Sequence, residues 1–237
     1  MSNSPKGIRI GPCFRCGVED WEPHGPVSAK QLLAWRTLDN SVRGMQSCPP
    51  TVAPTEWPVD MLVWLGQAGI STATAESIGI TYAPSLDRAI IPIVQSGADR
   101  GFIARAVTQG TGAAKRAKYI RSAGAHGAVW LAGGGRTLVV VEDVLSAFRV
   151  VQAGFKAMAA MGTAIDQTTL SEAVRGCDRV VSWFDPDAAG RKGHRTLRKS
   201  LALHDVSLHR VVSVRDPKQH SRAEIAAYIK EATDDAS

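Results

Sequence analysis

Val180-Val181-Ser182-Trp183-Phe184-Asp185-Pro186-Asp187-Ala188-Ala189-Gly190-Arg191-Lys192-Gly193 decides the fold of this chain. An apolar, β-prone run ends at two carboxylates one residue apart, and a small-residue, basic helix follows at once. In extended backbone, residues i and i+2 point the same way, so Asp185 and Asp187 at a strand mouth can offer hard oxygens to one divalent cation. Asp-Pro-Asp is also ordinary turn and N-cap chemistry, so the tripeptide alone leaves both readings open.

A second acidic strand end lies about forty residues upstream, at Thr137-Leu138-Val139-Val140-Val141-Glu142-Asp143. Unbroken β-branched runs belong in a parallel sheet covered on both faces, which leaves their tips as the place for polar chemistry. Val144 to Gly154 has helical apolar spacing and closes on a glycine suited to the position after a helix end. Phe155 to Met161 reads as a short buried strand leading to Gly162-Thr163, followed by a helix near 168–175 and the strand that carries Asp185. Two parallel strand tips, each acidic, can therefore converge on one site.

These features resemble the TOPRIM domain of bacterial and phage primases, topoisomerases and some nucleases. The likeness rests on Glu142, Gly162-Thr163 and Phe184-Asp185-Pro186-Asp187-Ala188-Ala189-Gly190-Arg191, with the last segment similar to the primase branch. Val214-Arg215-Asp216-Pro217-Lys218, before a helix from about 221, resembles the primase segment whose Asp-Pro pair closes the site. Two positions depart from the family pattern: Asp143 stands where it usually has Gly, and Ser146 where many primases have a second acid.

The resemblance runs from roughly Trp57 to Lys230 and implies an α/β fold, a TOPRIM-type central parallel sheet flanked by helices. A small α+β subdomain precedes it, after a short N-terminal segment with zinc-binding character. The expected divisions are 1–50 for that segment and its linker, 57–135 for the subdomain and 136–237 for the TOPRIM domain.

With 237 residues the chain can bury a sizeable core, and its 44% hydrophobic content is globular. No apolar run approaches the roughly 18 residues needed to span a bilayer. Met1 to Lys6 has no apolar core of an export signal, so a cytoplasmic location is expected, and the resemblance implies a bacterial cell and a phage-encoded protein. Four cysteines without dense spacing make no disulfide scaffold. A net charge of +6 and a pI of about 9.4 favour a polyanionic partner.

Cys13-Phe14-Arg15-Cys16-Gly17 is a knuckle that lets two thiolates reach one Zn2+, and a tetrahedron needs two further ligands. His24 and Cys48 are the downstream candidates, and no second Cys-x-x-Cys exists. Two reduced, partly buried thiols are the alternative. Phage primases often begin with a zinc ribbon, so the resemblance makes Cys13 and Cys16 half of one.

Residues 28–38 read as an amphipathic helix, and periodicity then disappears from Asp39 to Pro58, as in a linker. Two more helices are expected at 59–68 and 72–79, then a hairpin of strands at 89–94 and 101–107. Helix pair and hairpin resemble the subdomain that precedes TOPRIM in primases, including the Lys118-Tyr119 pair. Arg105, Lys115, Arg116, Lys118 and Arg121 gather cations just before the acidic sheet, where phosphates of a nucleotide or template could be held. Tyr119 could stack on a base or pack inward. Arg191 and Lys192 open a helix with six basic positions, some facing the cleft and some only solvating it.

The function implied is DNA priming: metal-dependent synthesis of short RNA from ribonucleoside triphosphates on single-stranded DNA. Glu142, Asp185 and Asp187 would be catalytic, holding Mg2+ or Mn2+ with Asp216. Gln109 to Arg116 lacks the Gly-Lys-Ser/Thr ending of a phosphate loop, so unwinding would come from a separate helicase. Two alternatives are a TOPRIM nuclease using the same acids, and a degenerate module that binds DNA or replisome without catalysis.

Overall fold

A computed structural model describes residues 29–95, 98–107, 117–125, 129–161 and 165–234. Cys13, Cys16, His24, Lys115, Arg116 and Gly162-Thr163 lie outside the described residues. Among the described residues, no helix is long and apolar enough to cross a membrane.

Two sheets carry the structure. The first is antiparallel, in the order β1 (Thr81–Ala83), β2 (Arg88–Gln95), β3 (Ala98–Ala106) and β4 (Tyr119–Arg121). The helices α1 (Ala29–Gly44), α2 (Val59–Gln67) and α3 (Thr72–Ser77) precede it in the chain. The second sheet has the order β5-β7-β6-β8-β9. Its strands are β5 (Trp130–Ala132), β6 (Thr137–Val141), β7 (Lys156–Ala159), β8 (Arg179–Trp183) and β9 (Ser207–Arg210). β6 runs parallel to both β7 and β8, and β8 parallel to β9, while β5 is an antiparallel edge. Four helices complete this half: α4 (Val144–Gln152), α5 (Gln167–Ala173), α6 (Ala188–Ser200) and α7 (Arg222–Asp234).

Alternation along the central strands builds two cores, because successive side chains leave opposite faces of a strand. Val139, Val141, Val181 and Trp183 face one core, which they share with α2, α4 and the first sheet. Leu138, Val140 and Val180 face the other, with Leu170 of α5 and Leu197 of α6. A fully buried side chain of this size contributes about 1.5–3 kcal/mol, so the continuous apolar runs hold the sheet from both sides.

The structure departs from the sequence expectations in three elements. α1 does not stop near 38 but continues to Gly44, through the stretch read as linker. Val42 is wholly buried against Ile90, Phe102 and Ile120, and Asp39 pairs with Arg88 at 2.8 Å, so tertiary contacts hold the extra turn. β4 and β5 are three-residue strands that carry no periodic signal, and β5 joins the second sheet although it precedes residue 136.

Arg88 is the largest wholly buried side chain. Besides Asp39, it donates to the carbonyls of Ala104 at 3.2 Å and Ala117 at 2.9 Å, tying α1 to the first sheet. Removing one partner of a buried pair leaves an uncompensated charge and a cavity. Arg88→Ala is therefore expected to cost about 3–5 kcal/mol of unfolding free energy, measured by urea denaturation, whereas Arg136→Ala, whose pair with Asp178 is exposed, should leave the urea midpoint nearly unchanged.

Candidate active site

The tips of β6 and β8 are neighbours, with Val141 opposite Trp183, and the residues just beyond them carry the acids. Glu142 Oε1 accepts a hydrogen bond from the Asp185 backbone amide at 3.3 Å, so the two acidic strand ends meet as the sequence reading required. Asp187 caps α6, accepting from the Gly190 amide at 2.7 Å. The cap reading of Asp-Pro-Asp holds at Asp187, whose carboxylate also lines the cleft. Asp216 arrives from the turn after β9, and its carboxylate shares a hydrogen bond with that of Asp185.

Gly190 is dictated by this geometry. A Cβ there would lie 2.0 Å from the Asp185 carbonyl oxygen, so only glycine lets the first turn of α6 press against the acidic loop. On the other side, Met161 takes a left-handed φ of 48° beyond β7. Its amide donates to the Glu142 carbonyl at 2.9 Å, and its own carbonyl accepts from Arg121 of β4 at 3.0 Å. Arg121 thereby fastens the first sheet to the rim of the acidic cluster.

The cleft above these acids has a volume of about 780 Å³. Five carboxylates line it, those of Glu142, Asp143, Asp185, Asp187 and Asp216, together with Lys118, Tyr119 and Lys218. Asp143 and Lys218 are the residues that sequence reasoning missed. Asp143 caps α4, accepting from the Leu145 and Ser146 amides at 3.0 and 3.1 Å and from the Ser146 hydroxyl at 2.9 Å. The two departures from the family pattern are therefore partners of each other. A residue after a strand and before a helical apolar run is a cap position, which was the available signal.

Lys218 Nζ sits 2.7 Å from Asp143 Oδ2 and also pairs with Asp216. Burial works against its charge, but the two carboxylates outweigh burial and hold its pKa well above the ordinary lysine value. Asp185 moves upward, to about 7, first because burial disfavours its anion, then through the hydrogen bond with Asp216 and repulsion from Glu142. Burial also opposes the Asp216 anion, yet Lys218 and the Asp185 hydrogen bond hold its pKa below the usual value. The two neighbouring carboxylates thus shift in opposite directions, Asp185 up and Asp216 down.

Arg105 is placed behind the cleft rather than in it. Only 7% exposed, its guanidinium lies between the rings of Trp64 and Tyr119, at 5.3 and 5.0 Å from their centroids. Tyr119 and Lys118 form the cleft wall, with Lys118 Nζ 5.6 Å from the tyrosine ring centroid. Arg191 and Lys192 are exposed on the first turns of α6, and Arg191 donates to the Pro186 carbonyl at 3.2 Å. Cys48, the downstream zinc candidate among the described residues, is exposed and free.

The donor set suits a hard dication, since carboxylate oxygens crowd until one of them keeps a proton. In this arrangement, among the described residues, no three His, Cys, Asp or Glu side chains enclose a single ion position. Lys218 accounts for part of that, because it takes up Asp143 and Asp216. Glu142, Asp185 and Asp187 are the residues that would hold Mg2+ or Mn2+, with Asp216 beside them. Binding must then displace the proton of Asp185, so affinity rises with pH up to about 7 and levels off above it. Calorimetric titration with Mn2+ is expected to show roughly tenfold weaker binding at pH 6 than at pH 8, the cost of one proton at one unit below its pKa.

Residues 136–212 match the family model of the Toprim domain. No curated protein sequence matches the chain. Among solved structures, a DnaG primase catalytic domain bound to single-stranded DNA superposes with a TM-score of 0.60 at 18% identity, over 86% of this chain and 80% of that one. The zinc-binding and RNA polymerase domains of Aquifex aeolicus primase give 0.62 at 18%, over 87% of this chain and 62% of that one. The RNA polymerase domain of Mycobacterium tuberculosis primase gives 0.60 at 20%, over 86% and 84%. Residues 136–212 therefore match the Toprim domain, and the chain shares its fold with these primase catalytic domains.

Proposed function

We propose that the protein is a DNA primase, joining ribonucleoside triphosphates into short RNA on a single-stranded DNA template. The observation that carries this reading is the Glu142–Asp185 contact at the base of a cleft whose other wall is Lys118 and Tyr119. One wall is anionic and the other cationic, as nucleotidyl transfer demands.

A bound Mg2+ or Mn2+ supplies charge neutralisation at the reacting phosphate. Glu142, whose Oε1 accepts from the Asp185 amide, would accept the proton of the attacking 3′-hydroxyl. That oxygen then bonds to the α-phosphorus, and pyrophosphate leaves. Lys118 is exposed at the cleft and holds phosphate as a point charge, while Tyr119 offers a ring face to base or sugar. Arg105, packed against that ring, keeps it in place through cation–π contact. Arg191 and Lys192 extend the positive field along α6 toward the template backbone. Strand separation would fall to a separate helicase, and the reaction belongs in the cytoplasm, where its substrates are. Cys13, Cys16 and His24, which lie outside the described residues, would be the Zn2+ ligands.

The test is incubation with labelled ribonucleotides, single-stranded DNA and Mg2+ or Mn2+. Labelled oligoribonucleotides are the expected product. Shortened DNA without them would point to a nuclease, and retained DNA with neither would leave a binding module; both outcomes defeat the proposal.

A further inference from the structure

We propose that the seam between α6 and the edge strand β9 is a second nucleic-acid contact outside the reaction cleft, where His194, Arg198 and Arg210 hold backbone phosphates of the single-stranded DNA as it leaves the acidic loop. The inference rests on the DNA-templated reading of the cleft.

β9 closes one side of the second sheet, and Arg210 lies opposite Ser182 in its pairing with β8. Two positions earlier, Leu208 and Val180 pair on the face that packs against Leu197 of α6, and residues two apart in a strand share a face. Ser182 and Arg210 therefore also stand on the α6 side. Ser182 is wholly buried, and its hydroxyl shares a hydrogen bond of 2.6 Å with His194 Nδ1, which fixes the imidazole beside Arg210. Arg198 follows His194 by about one helical turn. Among the described residues, no carboxylate pairs with any of these three basic side chains. Burial first, then Arg210 and Arg198, hold the His194 pKa below its ordinary value, as expected where like charges gather without an anion.

The seam is continuous with the cleft. Arg191, Arg195 and Arg198 recur at helical spacing in a stripe about 10 Å long, which starts where Arg191 donates to the Pro186 carbonyl in the acidic loop. Beyond β9, Val214 is 90% exposed and also lines the cleft, and Val212 is 67% exposed. Guanidinium forks on one side and apolar side chains on the other suit a single strand, whose phosphates take the former and whose base faces take the latter. A path that begins at the cleft favours such a strand over an acidic protein partner.

Fluorescence anisotropy with a labelled single strand across a salt series, without divalent ions so that no chemistry occurs, tests this. Arg198→Gln/Arg210→Gln is expected to bind about tenfold more weakly than the wild type, with the slope of log affinity against log salt reduced by about 1.4, the value for two phosphate contacts on a single strand. Lys199→Gln/Lys230→Gln removes the same charge from exposed positions outside the seam and should stay within about twofold of the wild type. No binding by the wild type, or equal losses in both variants, overturns the proposal. An unchanged affinity and slope in the first variant also overturns it and leaves the seam to an acidic partner. If the first variant does not fold by circular dichroism, Arg198→Gln alone decides, since that side chain is exposed and its slope should fall by about 0.7. Primer synthesis in parallel separates the two claims. Seam-dependent binding without primers would remove the primase and keep the seam, whereas primers from a protein whose DNA affinity ignores the seam would do the reverse.

Discussion

Asp185→Asn is expected to lower primer synthesis about a thousandfold while leaving the protein folded. Charge stabilisation at a metal site is worth several kcal/mol of barrier, and each 1.4 kcal/mol is a factor of ten. The fold survives because of the state Asp185 occupies without metal. Its pKa is raised from the 3.8 of a free aspartate to about 7, mainly by burial, so the folded chain favours a proton there that the unfolded chain releases. Stability from that proton is fully present below about pH 4 and is lost as pH rises through about 7. Asparagine resembles the protonated acid and can donate to Asp216 at every pH. At pH 8 without divalent ions, the variant should therefore melt at or above the wild-type temperature. Added Mg2+ should raise the wild-type melting temperature and leave the variant's nearly unchanged. A variant that still makes primers at the wild-type rate would remove Asp185 from the chemistry.

The second large effect is Gly190→Ala. The added methyl would sit 2.0 Å from the Asp185 carbonyl oxygen and 3.0 Å from its carbonyl carbon, contacts that cannot be relieved by rotating a side chain. Either α6 backs away from the loop or the loop moves, and both displace Asp185 and the Asp187 cap together. Overpacking of this kind costs about 1–3 kcal/mol of stability. A shift of about 1 Å at a catalytic group can cost a hundredfold in rate, so primer synthesis should fall further than the melting temperature suggests. Gly134→Ala, where a Cβ meets nothing within 4 Å, serves as the neutral comparison. Equal losses in both variants would show that the close approach does not matter.

The central sheet was legible in the sequence because its signals are local. Thr137–Val141 and Arg179–Trp183 are unbroken apolar strands, and each runs straight into acid, so their type, direction and tips could be read without a partner. Gly154 past the end of α4, with φ of 94°, and the helix following Asp187 are legible for the same reason. The end of α1 was not, since its last turn depends on Val42 finding Ile90 and Phe102, and on Asp39 finding Arg88, 49 residues away. Arg105 read as a phosphate clamp from its charge alone, but Trp64 and Tyr119 close around it from other elements.

The acidic cluster divides the same way. Sequence by itself determined that carboxylates would end two adjacent parallel strands, because strand periodicity and helix capping are properties of a few consecutive residues. Tertiary structure alone decided which of those carboxylates stay available. Lys218 meets Asp143 across 75 positions of chain, and the Asp185 pKa is pushed up to about 7 first by burial, then by Asp216 and Glu142 beside it. Charge responds to distance through space and to exclusion of water, and neither is written in the order of residues.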